Sequence, residues 1–352
     1  MINKFFAYQL LKWYAHHHRD LPWRHTRNPY YIWLSEVILQ QTRVAQGLPY
    51  YEKFVTTFPT IEDLAEASDL EVLRLWQGLG YYSRARNLHQ TAKYIAFDLK
   101  GQFPQSYSQL LQLKGIGPYT AAAIASFAFD EPVAVVDGNV YRVLARFFGI
   151  EADIASGAGQ RIFAQLAQEL ISHDQPAAYN QAIMEFGAIQ CTPTSPDCLL
   201  CPLKDHCQAN ATGKVGLLPV KQKKIKTRER FFNYFVVIKQ NKVALRQRTA
   251  RDVWQGLYDF YLIETTHLWQ SLDELTDQIL MPLLKEATVK PPSGVHLHVL
   301  THQRIHAQFW QVYLSEHYEG CLPMGYHFFD TSTIEKLPKP VLIDNYWKTA
   351  DF

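Results

Sequence analysis

Cysteine is scarce in this chain and unevenly placed: there are five in 352 residues, four of them between Cys191 and Cys207. That distribution excludes a disulfide framework spread over the molecule, and it points to metal ligation in a reducing compartment. Long apolar runs are also missing. No stretch approaches the ~18 residues of a membrane span, and Met-Ile-Asn-Lys-Phe-Phe-Ala-Tyr at the start has no basic region leading into an unbroken apolar core. Neither a membrane protein nor a secreted one is expected, so the expected location is cytosolic. An excess of one charge is lacking as well, since 35 Lys and Arg against 33 Asp and Glu leave a net charge of +2. Any surface for a polyanion must therefore be a local patch.

What is present describes a folded protein of about two domains, with 47% hydrophobic and 19% charged residues. Phe5, Phe6, Leu10, Leu11, Trp13 and Tyr14 recur at helical spacing, and His16-His17-His18-Arg19-Asp20 ends the pattern as a solvated helix terminus. In Leu21-Pro22-Trp23-Arg24 an aromatic and a guanidinium sit side by side, either as a packed Trp with a surface Arg or as the wall of a pocket for an extruded base. The stretch from Tyr30 to Thr42 reads as a helix whose only acid is Glu36. Set among Ile32, Trp33, Val37 and Leu39, that carboxyl should be desolvated and its pKa raised.

Leu64 to Leu75 reads as one amphipathic helix, and Gln77 to Arg86 as a glycine-rich loop entering a basic helix. Its aromatics beside arginines suit a side-chain wedge with phosphate contacts behind it, or a packed corner. Helix continues from Leu88 to Ala125 with a break at Pro104, then from Arg161 to Ile171 and from Ala178 to Ile189, with no strong strand pattern before residue 230.

The most informative stretch is Leu113-Lys114-Gly115-Ile116-Gly117-Pro118-Tyr119-Thr120-Ala121, leading through small apolar residues to Val135-Val136-Asp137-Gly138-Asn139. Gly115 and Gly117 allow a sharp turn at positive φ that aims amide N–H groups outward at a helix start, either as a site for a phosphate or as a plain tight turn. Asp137 stands just before a helix from Val140 to Phe148, whose positive dipole end favours the anion, or which it simply caps. A desolvated Glu36 and a dipole-stabilised Asp137 would divide into an acid and a standing anion.

Cys191, Cys198, Cys201 and Cys207 are spaced C-x6-C-x2-C-x5-C, and four thiolates so placed can enclose a tetrahedral zinc or a [4Fe–4S] cube. Cys321 stands apart and reads as an ordinary core cysteine. Residues 213–229 hold Lys214, Lys221, Lys223, Lys224, Lys226 and Arg228, with Arg230 just beyond, and read as a basic interdomain linker. Beyond it the hydrophobic period changes to two. Phe231 to Lys239, Val243 to Arg248 and Gly256 to Glu264 read as strands, Leu268 to Lys285 as a helix, and Val295 to Leu314 as a long alternating stretch.

Leu-Lys-Gly-Ile-Gly-Pro-Tyr-Thr-Ala, followed by Val-Asp-Gly-Asn-Val-Tyr-Arg-Val-Leu-Ala-Arg, resembles the helix-hairpin-helix and catalytic aspartate of the endonuclease III superfamily of DNA glycosylases, most nearly its adenine-glycosylase branch. The resemblance implies an all-α helix-hairpin-helix domain over 1–212, with the motif at 110–130 and an iron–sulfur loop at 191–207. It also implies a C-terminal α+β Nudix-like domain over 230–352 that inspects 8-oxoguanine, since no Arg-Glu-x-x-Glu-Glu run for magnesium is present. It tips the four-cysteine reading to a [4Fe–4S] cluster.

The implied reaction is monofunctional, base-flipping hydrolysis of the N-glycosidic bond of adenine opposite 8-oxoguanine or guanine in double-stranded DNA. The protein is then expected to be a monomer of the bacterial cytosol, associated with the nucleoid. By resemblance Glu36 and Asp137 are catalytic, with Asn139 and Tyr119 orienting carboxylates and sugar, and Trp23, Arg24 and Gln181 line the adenine pocket. Gln41 and Tyr81 fill or wedge the stack, Thr42, Leu79, Thr301 and His302 face the oxidised guanine, and Gly115 and Gly117 grip the backbone.

Tyr119 stands where bifunctional relatives carry a Schiff-base lysine, which sets aside a glycosylase and lyase acting on oxidised pyrimidines. A non-catalytic lesion-binding protein is the other rival. Lys114, Pro118 and Tyr141 depart from the family pattern in ways that alter phosphate grip more than chemistry. Leu300-Thr301-His302 replaces the usual Phe-Ser-His, which keeps a hydroxyl and loses an aromatic face.

Overall fold

A computed structural model of the chain describes residues 2–222 and 227–350. Packing divides it into two compact units, residues 1–66 with 87–223, and residues 67–86 with 224–352. Lys223, Lys224 and Lys226 of the expected linker lie outside the described residues. No helix among the described residues is long and apolar enough to cross a membrane.

All regular elements among the described residues of the first unit are helices. Its centre is a pair of helices that are apolar all round, Pro29–Leu39 and Pro118–Phe129, which pack on each other. Asn28 caps the first, its side chain accepting from Tyr30 N at 2.9 Å, and Pro29 supplies a preset φ at the first helical position. The second opens at Pro118 and buries Ala121, Ala122, Ala123 and Ala125, small side chains that let the partner helix come close.

A second cluster joins helix Ile2–His17 through Phe6, Leu10 and Trp13 to helix Gly138–Phe148 through Val143, Leu144 and Phe147, with Phe163, Tyr179 and Ile183 completing it. Asp137 caps Gly138–Phe148, and Gly149 closes it at φ 68°. The helix Pro176–Glu185 widens into a π turn over Phe186–Gln190. Gly187 lies there against the start of the capped helix, where an added Cβ would stand 2.7 Å from Asn139 Cβ.

The expected single helix from Leu64 to Leu75 is two, Ile61–Glu66 and Asp69–Leu75. Ser68 explains the break. Its hydroxyl accepts from Glu71 N at 3.2 Å while the Glu71 carboxylate accepts from Ser68 N at 2.9 Å, a reciprocal capping box that starts a new helix.

The second unit is built on a mixed sheet of eight strands: β1 (Arg228–Lys239), β2 (Lys242–Gln247), β3 (Tyr258–Asp259), β4 (Tyr261–Thr265), β5 (Ala287–Val289), β6 (His296–Leu300), β7 (Gln303–Leu314) and β8 (His327–Asp330). β1 and β7 run parallel at its centre, from Arg228 opposite Gln303 to Ile238 opposite Tyr313. Phe235, Val237, Trp310 and Val312 face Trp269 and Leu283 on one side. On the other, Tyr234, Phe309 and Tyr346 stack in series, with centroids 5.2 and 3.8 Å apart.

The alternating stretch Val295 to Leu314 resolves into the hairpin β6–β7, with Thr301 and His302 as its two-residue turn. The helix expected over Leu268 to Lys285 is only Leu280–Lys285. Trp269 is instead buried against the sheet, with its N–H on Asn233 Oδ1, and Ser271 and Asp277 each cap a short turn of their own.

Residues 67–86 belong to this second unit. Gln77 Oε1 accepts from Lys339 N at 3.1 Å, Arg86 Nη1 donates to Gln255 O at 2.7 Å, and Leu73 packs beside Gly256, whose φ is 89°.

Candidate active site

Glu36 sits mid-helix between Ser35 and Val37 and is 7% exposed. One hydrogen bond is recorded on its carboxylate, from Tyr119 Oη at 2.6 Å. Burial raises its pKa from 4.5 to about 7, and nearby Asp137 adds to the rise, while the Tyr119 hydrogen bond and Arg24 oppose it.

Asp137 has the opposite surroundings. As N-cap it accepts from Asn139 N and Val140 N at 2.8 Å on Oδ1, and from Asn139 Nδ2 at 2.8 Å on Oδ2. These bonds and Arg142 favour the anion, yet burial outweighs them and its pKa also stands above the ordinary carboxylate value. The helix start alone therefore does not make Asp137 an ordinary anion, and the two carboxyls differ in hydrogen bonding more than in direction of shift. Asn139 is held in turn by Arg142, whose Nη2 donates to Asn139 Oδ1 at 2.8 Å and to Gly187 O at 2.6 Å and whose Nε donates to Cys191 O at 2.7 Å.

A cleft of about 360 Å³, counting its open mouth, is lined by Trp23, Arg24, Ile32, Ser35, Glu36, Phe127, Gln181 and Met184. Trp23, Arg24 and Gln181 thus meet Glu36 in one open pocket. Gln181 Oε1 accepts from Tyr14 Oη at 2.7 Å. Arg24 donates from Nη2 to Glu185 Oε2 at 2.6 Å and from Nη1 to Arg19 O at 2.8 Å. Tyr14, Arg19, Phe127, Met184 and Glu185 were not foreseen. The one available signal was Glu185, the only acid on the helix Pro176–Glu185, placed between apolar Met184 and Phe186.

At the hairpin Gly115 takes φ 76°, whereas Gly117 is an extended N-cap at φ −91°, so the positive-φ turn expected of both belongs to one. A Cβ on Gly115 would stand 2.6 Å from Asn87 Cβ, while one on Gly117 would meet nothing within 4 Å. Gly117 is open to solvent beside the first N–H groups of the helix, which have no intrahelical acceptor. Gln41 is exposed at φ 56°, just past the helix that carries Glu36, and Thr42 donates to Gln40 O at 3.3 Å.

Leu79, Tyr81, Thr301 and His302 belong to the second unit. Leu79 is buried, Tyr81 is exposed at φ 48°, and the Tyr81 hydroxyl is hydrogen-bonded to that of Thr301. His302 is exposed, and its carbonyl accepts from Arg228 N at 3.0 Å. The Arg84 guanidinium lies 5.1 Å from the Trp76 ring and 5.8 Å from the Tyr81 ring, and reaches back to Leu79 O and Gly80 O. Arg84 therefore braces the Tyr81 turn, as in the packed-corner reading of this stretch.

Cys191, Cys198, Cys201 and Cys207 are all half-buried free thiols, whereas Cys321, expected in the core, is exposed in the second unit. Burial pushes Cys201 up to about 12, and Cys191, Cys207 and Cys198 add to the rise, so the four are within electrostatic reach of one another. Among the described residues no group of three or more His, Cys, Asp or Glu is gathered tightly enough to hold a metal ion as it stands.

A family model for HhH-GPD superfamily base excision DNA repair proteins matches residues 34–170, and one for a NUDIX domain matches residues 233–349. An adenine DNA glycosylase of Buchnera aphidicola subsp. Acyrthosiphon pisum is 36% identical over 262 residues, which cover 74% of this chain and 75% of the relative. The chain belongs to the adenine DNA glycosylases. The Homo sapiens adenine DNA glycosylase is 46% identical over 213 residues, 58% of this chain and 39% of that longer protein. Among solved structures, a thermostable thymine-DNA glycosylase matches with TM-score 0.54 at 30% identity, covering 60% of this chain and 97% of its own. A non-covalent endonuclease III–DNA complex shares the fold, with TM-score 0.52 at 22% identity, covering 60% of this chain and 95% of its own.

For a base excision repair glycosylase the two hairpin glycines should separate by phenotype. Gly115→Ala forces a non-glycine residue to positive φ against Asn87 and should lose more than about 1 kcal/mol of stability. Gly117→Ala should melt like the wild type, because its Cβ would meet nothing within 4 Å, and it should bind duplex DNA more weakly as expected of a turn that receives a phosphate. Equal DNA affinity for Gly117→Ala and wild type would remove the open turn from the DNA surface.

Proposed function

We propose that this glycosylase hydrolyses the N-glycosidic bond of adenine paired with 8-oxoguanine, and also with guanine, in double-stranded DNA, acting as a monomer on an extruded base. The observation that carries the proposal is Glu36, a carboxyl with its pKa near 7 on the wall of a cleft also lined by Trp23, Arg24 and Gln181.

At neutral pH a large share of Glu36 is protonated, so it can donate to a ring nitrogen of adenine as the C1′–N9 bond breaks and its electron pair leaves with the base. Positive charge then develops on the sugar. Asp137, fixed by three hydrogen bonds, supplies the opposing anion. Water adds at C1′ and its proton returns to Glu36. Tyr119 holds Glu36, and Asn139 holds Asp137. Tyr119 has no amine with which to form a Schiff base, which supports a monofunctional reaction.

By resemblance, the residues to fill the gap left by the extruded base are Gln41 in the first unit and Tyr81 in the second, and those to meet the oxidised guanine are Thr42 in the first and Leu79, Thr301 and His302 in the second. The hydrogen bond of Tyr81 to Thr301 supports a shared role for those two residues.

Cys191, Cys198, Cys201 and Cys207 would hold a [4Fe–4S] cluster as a soft donor set of four thiolates, with the iron's positive charge offsetting the burial that raises the Cys201 thiol. The cluster's contribution when bound is to tie the loop and the positions near it into one structure. Purified protein should be brown, with iron and acid-labile sulfide in equal amounts. A colourless preparation with one zinc per chain would contradict the cluster.

The reaction is tested by single-turnover base release from duplexes bearing adenine opposite 8-oxoguanine, guanine or thymine. Release should be fastest opposite 8-oxoguanine, and Asp137→Asn should slow it at least ~10²-fold. The rate should fall as pH rises through about 7, because Glu36 loses the proton it must donate, and should fall again in acid as Asp137 is protonated. No adenine release from any duplex would overturn the assignment, and oxidised pyrimidines would then be the substrates to try.

A further inference from the structure

The cationic wall of the base pocket rests on a carboxylate that the proposed chemistry does not use. Glu185 ends the helix Pro176–Glu185 and is 1% exposed. Its Oε1 accepts from Arg19 N at 2.9 Å and Arg19 Nε at 2.8 Å, and its Oε2 accepts from Nη2 of Arg19 and of Arg24, each at 2.6 Å. Four hydrogen bonds use the full acceptor capacity of a carboxylate. Burial works to raise its pKa, but the bonds from Arg19 and Arg24 prevail and hold it at about 2. So placed, Glu185 keeps no lone pair for a substrate and exchanges no proton in the working range. Its route to the pocket runs through Arg24.

Arg24 is gripped on several sides. Besides Glu185, its Nη1 donates to Arg19 O at 2.8 Å, and its guanidinium lies 5.7 Å from the Tyr14 ring, whose hydroxyl fixes the pocket residue Gln181. Two of the five N–H donors of Arg24 are spent on these bonds. The planar fork is therefore oriented before any base enters, and little rotamer freedom is lost on binding. Its charge also opposes the burial of Glu36.

We propose that Glu185 is a positioning residue for base release, holding the Arg24 guanidinium in the base pocket, with Arg19 as the outer brace. The pocket then offers oriented N–H donors to the ring nitrogens of an extruded purine. The proposal rests on the adenine-glycosylase reading.

The test is a double-variant cycle read by single-turnover adenine release, using the full chain as wild type, Glu185→Gln, Arg24→Ala and the two combined. Affinity for a duplex carrying an abasic site, which has no base to fill the pocket, is measured alongside. Glu185→Gln should slow release by about 10²-fold, the cost of a misplaced group, and the combined variant should be no slower than Arg24→Ala alone. Abasic-duplex affinity should stay within about twofold of wild type in all of them. If Glu185→Gln fails to fold, Glu185→Asp keeps the charge and withdraws it by one methylene; it should give a smaller loss with the same non-additivity.

Release at the wild-type rate, losses that multiply in the combined variant, or abasic affinity falling in step with rate would each overturn the role of Glu185. An inactive wild type contradicts the adenine reading and the Glu185 proposal together, whereas an active wild type with multiplying losses contradicts Glu185 alone.

Discussion

A carboxyl enclosed by apolar side chains is the constraint on which the first unit depends. Raising Glu36 from 4.5 to about 7 corresponds to about 3 kcal/mol against its charged form. Because the folded pKa lies above the unfolded one, stability from this group is fully present below about 4.5 and is lost as pH rises through about 7. The fold carries that cost at neutral pH. The pair of apolar helices Pro29–Leu39 and Pro118–Phe129 enclose the carboxyl, and Tyr119, one residue into the second helix, gives it one oriented partner.

The other carboxyl is buried as well, but unlike Glu36 it is held by three hydrogen bonds. Asp137 does the ordinary work of a helix cap, and that work holds its two oxygens in place. Arg142 then ties Asn139 to the π turn and to the backbone of Cys191, so the start of the cysteine loop and the capped carboxylate share one guanidinium. The close approach this needs is possible because residue 187 is glycine.

Much of this was legible in the sequence where the deciding residues are neighbours. The burial of Glu36 follows from Ile32, Trp33 and Val37 around it, and the cap at Asp137 from its place before an apolar helix. The all-helical unit and the change of period beyond residue 230 were equally plain. What could not be read depends on residues far apart or on competing local signals. Arg19 and Glu185 meet across 166 positions, and nothing near either names the other. The arginines of Gln77 to Arg86 suited phosphate contacts and a packed corner alike, and the ring of Trp76 decides for packing at Arg84. The Ser68 capping box was present in the sequence but overlooked beneath a longer amphipathic pattern. Residues 67–86 lie within the stretch matched to the repair superfamily yet pack with the sheet, which no local pattern could foretell.

The central claim is that burial is the main force tuning Glu36 for proton donation, and titrating that carboxyl in the free protein tests it most directly. Carboxyl-labelled glutamate, followed across pH by infrared difference spectroscopy with Glu36→Gln as reference, isolates the one group. The account predicts a midpoint near 7. A midpoint at the ordinary 4.5 would contradict it, because Glu36 would then be ionised at neutral pH with no proton to give.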